Sequence, residues 1–191
     1  MAVRGETRRR LVSGTLRLLR RRGLHGVGLQ EVLAETGAPR GSLYFHFPGG
    51  KEQLVEEAIA LAGQRGEKWM RRCLEGSPTV AGGVARMLGE YADLLEASAF
   101  ADGCPVAAVA LDLSATPGPL QAACGRALDS WVTLVAAALR GEGRSAPEAE
   151  SLALATISAF EGALLVARAR RDASAVRAVA VWADSLLSSA G

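Results

Sequence analysis

Apolar positions recur at helical spacing through most of the chain, and no alternating apolar and polar stretch longer than about five residues interrupts them. Alanine and leucine dominate and β-branched runs are short, so the pattern predicts an all-α protein of about nine helices. From Thr7 to Arg22, Leu11, Thr15, Leu18 and Leu19 share one face while Arg8, Arg9, Arg17, Arg20 and Arg21 lie elsewhere, and Gly23 offers a C-terminal stop. A helix of barely two turns follows from Leu29 to Thr36, with Gly28 at its cap and Gly37 at its end. A third, from Arg40 to Phe45 or His46, is stopped by Pro48-Gly49-Gly50. Lys51 opens a longer helix to about Leu74, and Gly76-Ser77-Pro78 ends it and offers a cap for a fifth that reaches about Ser98. The segment Cys104 to Leu113 is apolar all round, which predicts a buried helix, and Thr116-Pro117-Gly118-Pro119 breaks it. A helix to about Leu139 comes next. Ser145 and Glu148 fit a capping box that opens a helix to about Arg170, and a last helix capped by Asp172 or Ser174 ends near Leu187. No tandem repeat is visible, and the final Ser188-Ser189-Ala190-Gly191 is the nearest thing to a low-complexity tail.

Composition narrows the class. With 49% apolar residues in 191, the chain can bury roughly 70% of its unfolded surface, which excludes disorder for most of it. The longest charge-free stretch, Leu113 to Gly125, contains two prolines and falls short of the about 20 apolar residues a bilayer needs, so no membrane partner is expected. The arginine-rich N-terminus carries no apolar signal core, which predicts a cytoplasmic protein. Cys73, Cys104 and Cys124 are too few and too scattered for a disulfide framework or a zinc site. The net charge of +2 hides an asymmetry: residues 1–50 carry nine arginines against Glu6, Glu31 and Glu35, a net +6, whereas residues 51–191 carry a net −4. A basic module bound to nucleic acid and a merely solvated arginine-rich helix share that composition, so charge alone leaves both readings open.

The third helix separates them. Two short helices joined through Gly37-Ala38-Pro39, with a longer one before them, have the plan of a helix-turn-helix module over residues 1–50, followed by a larger bundle over residues 51–191. The tight turn suits Gly37. The second short helix has Arg40, Gly41, Ser42, Tyr44 and His46 available to face outward, while Leu43 and Phe47, four apart, point inward. Arg40 can read guanine edges or hold a phosphate, Gly41 permits close approach, and Ser42 and Tyr44 can donate to phosphates. Lys51 stands at the next helix start, where its charge and the free N–H groups suit a phosphate. Taken singly, Tyr44 and Phe45 would equally wedge the small core, and His46 would equally serve as a cap.

As an ordered string, Gly37-Ala38-Pro39-Arg40-Gly41-Ser42-Leu43-Tyr44-Phe45-His46-Phe47 followed by Lys51-Glu52-Gln53-Leu54 resembles the DNA-binding region of the TetR family of bacterial transcriptional regulators. The likeness extends from about Leu11 to Ile59. It implies that Arg40, Gly41, Ser42, Tyr44 and His46 lie on or beside the recognition helix and that Lys51 grips a phosphate. Gly28 departs from the usual Ser or Thr cap, and Pro48-Gly49-Gly50-Lys51 is one residue longer than the usual linker. That linker and the later Gly103-Cys104-Pro105-Val106 resemble the subgroup similar to LmrA and YxaF, whose members are associated with multidrug resistance or responses to small aromatic compounds. The family implies an all-helical homodimer whose larger domain holds a ligand and alters the spacing of two DNA-reading heads.

The larger part offers its own candidates. Met87, Tyr91, Leu94 and Leu95 share a helical face, as do Val106, Val109, Ala110 and Leu113, and Trp131, Leu134, Val135 and Leu139. Each stripe suits a solid core as well as a cavity. Met87, Tyr91, Val109, Leu113, Trp131 and Phe160 are the candidates for holding a small apolar or aromatic effector. Ala155, Ala159, Gly162 and Val166, with Val176, Val179, Ala183 and Leu186, form small-residue stripes suited to close helix approach across a twofold axis, or within one subunit. Ala155, Ala159, Gly162, Val179, Ala183 and Leu186 are the candidate dimer residues. No nucleophile elbow, phosphate loop or metal-ligand spacing appears, so no catalytic residue, metal or cofactor is expected. Glu161, in an otherwise apolar helix, is suited to a ligand or to an arginine across an interface. Cys104 beside Pro105 suits an inert thiol better than a redox switch. The predicted function is a repressor released from a palindromic operator by a small ligand. A DNA-bound scaffold recruiting a protein, and a helical-bundle enzyme, are the competing readings.

Overall fold

The computed structural model describes residues 2–113 and 117–188, so Thr116 of the expected helix break and the last three residues of the tail lie outside the described residues. Among the described residues there are nine helices and no strand: α1 Ala2–Arg22, α2 Leu29–Thr36, α3 Arg40–His46, α4 Gly50–Glu75, α5 Val80–Ala97, α6 Pro105–Asp112, α7 Pro119–Gly141, α8 Ala146–Arg170 and α9 Ser174–Ser188. Most boundaries follow the punctuation in the sequence. Gly37 ends α2 at φ +61°, with its N–H on Leu33 O at 2.8 Å, a backbone position that L side chains rarely take. Two expected caps differ. Thr79, not the Gly-Ser-Pro before it, caps α5 by accepting from Gly82 N, and the Ser145 box is not formed on α8: Ser145 makes no side-chain cap bond and the Glu148 carboxylate accepts from Arg144 at 2.5 Å instead of reaching back to the cap.

The chain forms two compact units. The first comprises residues 1–64 and 105–127, the second residues 65–104 and 128–191, so the chain passes between them inside α4, ahead of α6 and inside α7. In the first unit, α1 contacts α2, α3 and α6. Leu11, Thr15, Leu18 and Leu19 are buried as the helical pattern predicts, and they join Val32, Leu43, Phe47, Leu54 and Ile59 in the core. Buried Thr15 satisfies its hydroxyl on Leu11 O at 2.9 Å. Helix α6 is a correction: Val106 and Val109 are buried, but Leu111 is 72% exposed, so the helix buries one face only.

The second unit is built on α5 and α8 packed against α9. Met87, Leu88, Leu95, Trp131, Val135, Leu139, Phe160 and Leu164 are buried in it. Gly66 and Gly83 mark close approaches. A Cβ on Gly66 would stand 2.7 Å from the Trp131 ring, and one on Gly83 would stand 2.9 Å from the backbone of Leu74. Helices α7 and α8 are long and apolar enough to cross a bilayer by length and composition, which the charge-free run did not reveal. Each nevertheless buries a face against protein: Trp131 and Val135 on α7, Ala153, Phe160 and Leu164 on α8.

Candidate functional site

Helix α3 is seven residues long, too short to stand alone, and its inner face holds it. Leu43 is buried and Phe47, at the C-cap, is completely so, with its N–H on Leu43 O at 2.8 Å. Anchoring those two residues turns the rest of the helix outward. Arg40 and Gly41 are exposed, Tyr44 is 56% exposed and Phe45 65% exposed. The core-wedge reading of Tyr44 and Phe45 is therefore corrected: both rings stand outside, Phe45 edge-on to His46 at 5.0 Å. Arg40 makes no hydrogen bond or ion pair among the described residues, and a Cβ on Gly41 would meet nothing within 4 Å. Ser42 is half-buried and donates to Pro39 O at 2.6 Å, which orders the first turn of the helix. His46 is half-buried at the last turn.

The surroundings of α3 are clamped by side chains on backbone. Arg10 donates to Thr36 O immediately before the Gly37 turn. Lys51 donates to Leu24 O at 2.8 Å, so its ammonium is held by the α1–α2 connection. The same connection is gripped by Asp112 at the end of α6, whose Oδ2 accepts from Leu24 N at 2.7 Å and His25 N at 3.4 Å, while the His25 ring meets Asp112 O at 3.1 Å. Gly23, at φ +66°, has no room for a side chain there: a Cβ would stand 2.6 Å from Asp112 Oδ2. Sequence reasoning missed Asp112, because nothing near it in the chain signals a partner 88 residues away. Several arginines of the basic module are paired, Arg8 with Glu57 at 2.6 Å and Arg17 with Glu35 at 2.8 Å. Arg9, Arg10 and Arg17 line an open polar cleft of about 690 Å³ together with Glu6 and Glu35.

In the second unit Tyr91 and Phe160 meet edge to face at 5.2 Å, and Trp69 joins them at 5.8 and 6.2 Å. Trp69 is a member that the sequence reading missed. Its indole donates to Glu90 at 2.7 Å, a bond that, with Arg86, holds that carboxyl below its ordinary range. Met87 and Trp131 are buried in the same unit, whereas Val109, fully buried, and Leu113, half-buried, belong to the first. Of the candidate dimer residues, Ala155, Ala159, Val179 and Leu186 are half-buried and Gly162 is open, with nothing within 4 Å of an added Cβ. Ala183 is a correction: it is completely buried inside its own unit and presents nothing outward. Outward apolar side chains are Val166 of the α8 stripe itself and, beside the stripes, Leu154 and Leu165 on α8 and Val181 and Trp182 on α9. All three cysteines are buried and none forms a disulfide, and burial pushes the Cys124 thiol up to about 11.

Both carboxylate oxygens of Glu161 are out of solvent, with the Cys104 thiol as the one side chain beside them among the described residues. Burial pushes this carboxyl up to about 7, partly offset by the Cys104 thiol.

An all-helical chain with a short, outward-facing second helix after a glycine turn is a helix-turn-helix transcriptional regulator in architecture. Residues 11–58 match the family model described as bacterial regulatory proteins of the tetR family, and residues 80–181 match the C-terminal domain of LmrA/YxaF-like transcriptional regulators. The chain belongs to the TetR family of transcriptional regulators and carries an LmrA/YxaF-like C-terminal domain. It is 31% identical over 170 residues to the HTH-type transcriptional regulator LmrA of Bacillus subtilis, covering 89% of this chain and 90% of that one. An uncharacterized HTH-type regulator of Mycobacterium tuberculosis is 34% identical over 175 residues, covering 89% and 88%. Among solved structures, a TetR regulator from Chloroflexus aurantiacus shares the fold at a TM-score of 0.84, with 24% identity over 99% of this chain and 98% of that one. The TetR family regulator CifR, solved as a cysteine variant with a 26 base-pair operator duplex, aligns at a TM-score of 0.76 with 25% identity over 92% and 94%.

Because the folded-state value for Glu161 lies above the ordinary one, ionising it opposes folding. The cost is absent below about pH 4.5, grows as the pH rises through 7 and is constant above that. Glu161→Gln is therefore expected to raise stability by up to about 3 kcal/mol at alkaline pH and to change little in acid. Denaturant unfolding at both ends of the range measures this, and an equal effect at both would contradict it.

Proposed function

We propose that this regulator is a cytoplasmic repressor that binds a palindromic operator as a homodimer and is released by a small apolar or aromatic ligand. The observation that carries the DNA reading is the unpaired Arg40 beside exposed Tyr44 on a helix whose opposite side is anchored by Leu43 and Phe47. An exposed guanidinium with no partner among the described residues suits guanine edges or phosphates, and the exposed Tyr44 beside it offers a hydroxyl that can donate to a phosphate. Gly41, Ser42 and His46 complete the reading surface. Lys51 contributes by fixing the α1–α2 connection through Leu24 O, and reaches a phosphate only by exchanging that bond.

The dimer reading rests on the apolar side chains that α8 and α9 leave outside, with Val181 73%, Leu165 59% and Trp182 44% exposed. A surface of that kind on adjacent helices fits a second copy of the same surface about a twofold axis. Gly162 and the flanking Ala155, Ala159, Val179 and Leu186 allow close approach of the helices. Two heads then face half-sites about one helical turn apart. Effector binding acts by favouring the conformer whose heads are wrongly spaced, since equal affinity for both conformers shifts nothing. Tyr91, Phe160, Met87 and Trp131 are the ligand candidates of the second unit, and Val109 and Leu113 those of α6 and its end.

Arg40→Ala and Tyr44→Ala should each weaken operator binding by about tenfold to a hundredfold in a mobility-shift assay without altering the thermal transition. Unchanged binding in both variants would sink the recognition-helix assignment. Replacing Leu165 and Trp182 together by glutamate should give a monomer in sedimentation velocity with intact helicity and poor operator binding. A dimer that persists in that variant places the interface elsewhere.

A further inference from the structure

We propose that Glu161 anchors the effector and that the effector it selects carries a protonated amine on an apolar or aromatic body. This rests on the ligand-released reading above and narrows it to a chemical class. The Glu161 oxygens, Oε1 and Oε2, are buried, and among the described residues the Cys104 thiol is the one side chain that reaches them. A carboxylate left alone in a protein interior is destabilising, and the residue that bears it is tolerated when something else completes it. The neighbouring Cys104 thiol is only a weak donor. Arg168, seven residues further along the same flank of α8, is directed elsewhere, to Phe100 O at 3.4 Å and Ala101 O at 3.3 Å.

The segment that covers this flank is itself strained. Ala99 and Phe100, neither of them glycine, hold φ of 49° and 61° in succession, and Gly103 lies so close to Arg168 that a Cβ would stand 2.6 Å from its guanidinium. Backbone held in a sparsely populated region stores free energy that a ligand can release. Residues 98–104 thus form a strained strap beside a carboxylate whose one partner among the described residues is the Cys104 thiol of the strap itself.

Chemistry then selects the partner. An ammonium group supplies three donors and a compensating charge, enough for both oxygens, whereas a neutral hydroxyl supplies one donor and leaves the charge. An anionic ligand meets repulsion. The aromatic body comes from the ligand-released reading, for which Phe160, Tyr91 and Trp69 form an aromatic cluster in the same unit as Glu161.

The test uses the full-length protein at about pH 8, where the carboxyl is ionised, titrated calorimetrically with naphthylmethylammonium and with its neutral counterpart naphthylmethanol. The amine is expected to bind about tenfold or more tightly than the alcohol, and Glu161→Gln to bring that ratio to about one while leaving the alcohol affinity in place. Retained alcohol binding shows that the variant is folded. A wild type that binds the amine no better than the alcohol, or binds neither, overturns the proposal, as does a variant that keeps the preference. Operator binding is followed alongside. A Glu161-dependent preference with no loss of operator supports the anchor and overturns the ligand-released reading instead, so the two failures are distinguishable.

Discussion

The burial of Phe47 and Leu43 beneath a seven-residue helix is the constraint on which the DNA-reading end depends. Neither residue touches DNA in this account, yet without them α3 has no reason to form or to face outward. A short helix gains little from propensity and nearly everything from one packed face. The same economy appears around it. Arg10 holds Thr36 O before the turn, Ser42 holds Pro39 O within it, and Lys51 and Asp112 hold the α1–α2 connection from two other helices. Each spends a polar side chain on a backbone group that a tight connection leaves unsatisfied.

One of those clamps reaches far along the chain. Asp112 is the last residue of α6, an eight-residue helix of the same unit, and its carboxylate accepts from Leu24 N at 2.7 Å in the connection that follows Gly23. The close approach leaves no room for a side chain at Gly23, so a residue 88 positions away helps to fix the backbone between α1 and α2.

Much of the fold was legible because helix punctuation is local. Gly23, Gly37 and the prolines near residues 48, 78 and 117–119 interrupt the helical pattern, and the nine helices among the described residues lie close to where apolar spacing and these breaks put them. Legibility failed where a partner lies far along the chain. The Ser145–Glu148 box gave way to an Arg144–Glu148 pair, Lys51 was engaged by Leu24 O, and Asp112 carried no local signal. The inner face of α3 was readable from Leu43 and Phe47 at a spacing of four, but the exposure of Phe45 was not, since an aromatic residue beside another fits a core equally well. On α8 and α9 the small residues form the visible stripes, although outward orientation there belongs mainly to larger neighbours one or two positions away, Leu154, Leu165, Val181 and Trp182. A shift of one residue on a helix is a turn of about 100°, enough to exchange an inward for an outward side chain.

The central claim is that a pair of α3 helices, held by two copies of this chain, reads a symmetric operator. Selection of bound genomic fragments by the full-length protein, followed by footprinting of the enriched sequence, tests it most directly. The account predicts one family of fragments with inverted half-sites centred about one helical turn apart and protected symmetrically. Enrichment of no particular sequence, or protection of a single unpaired half-site, would contradict it.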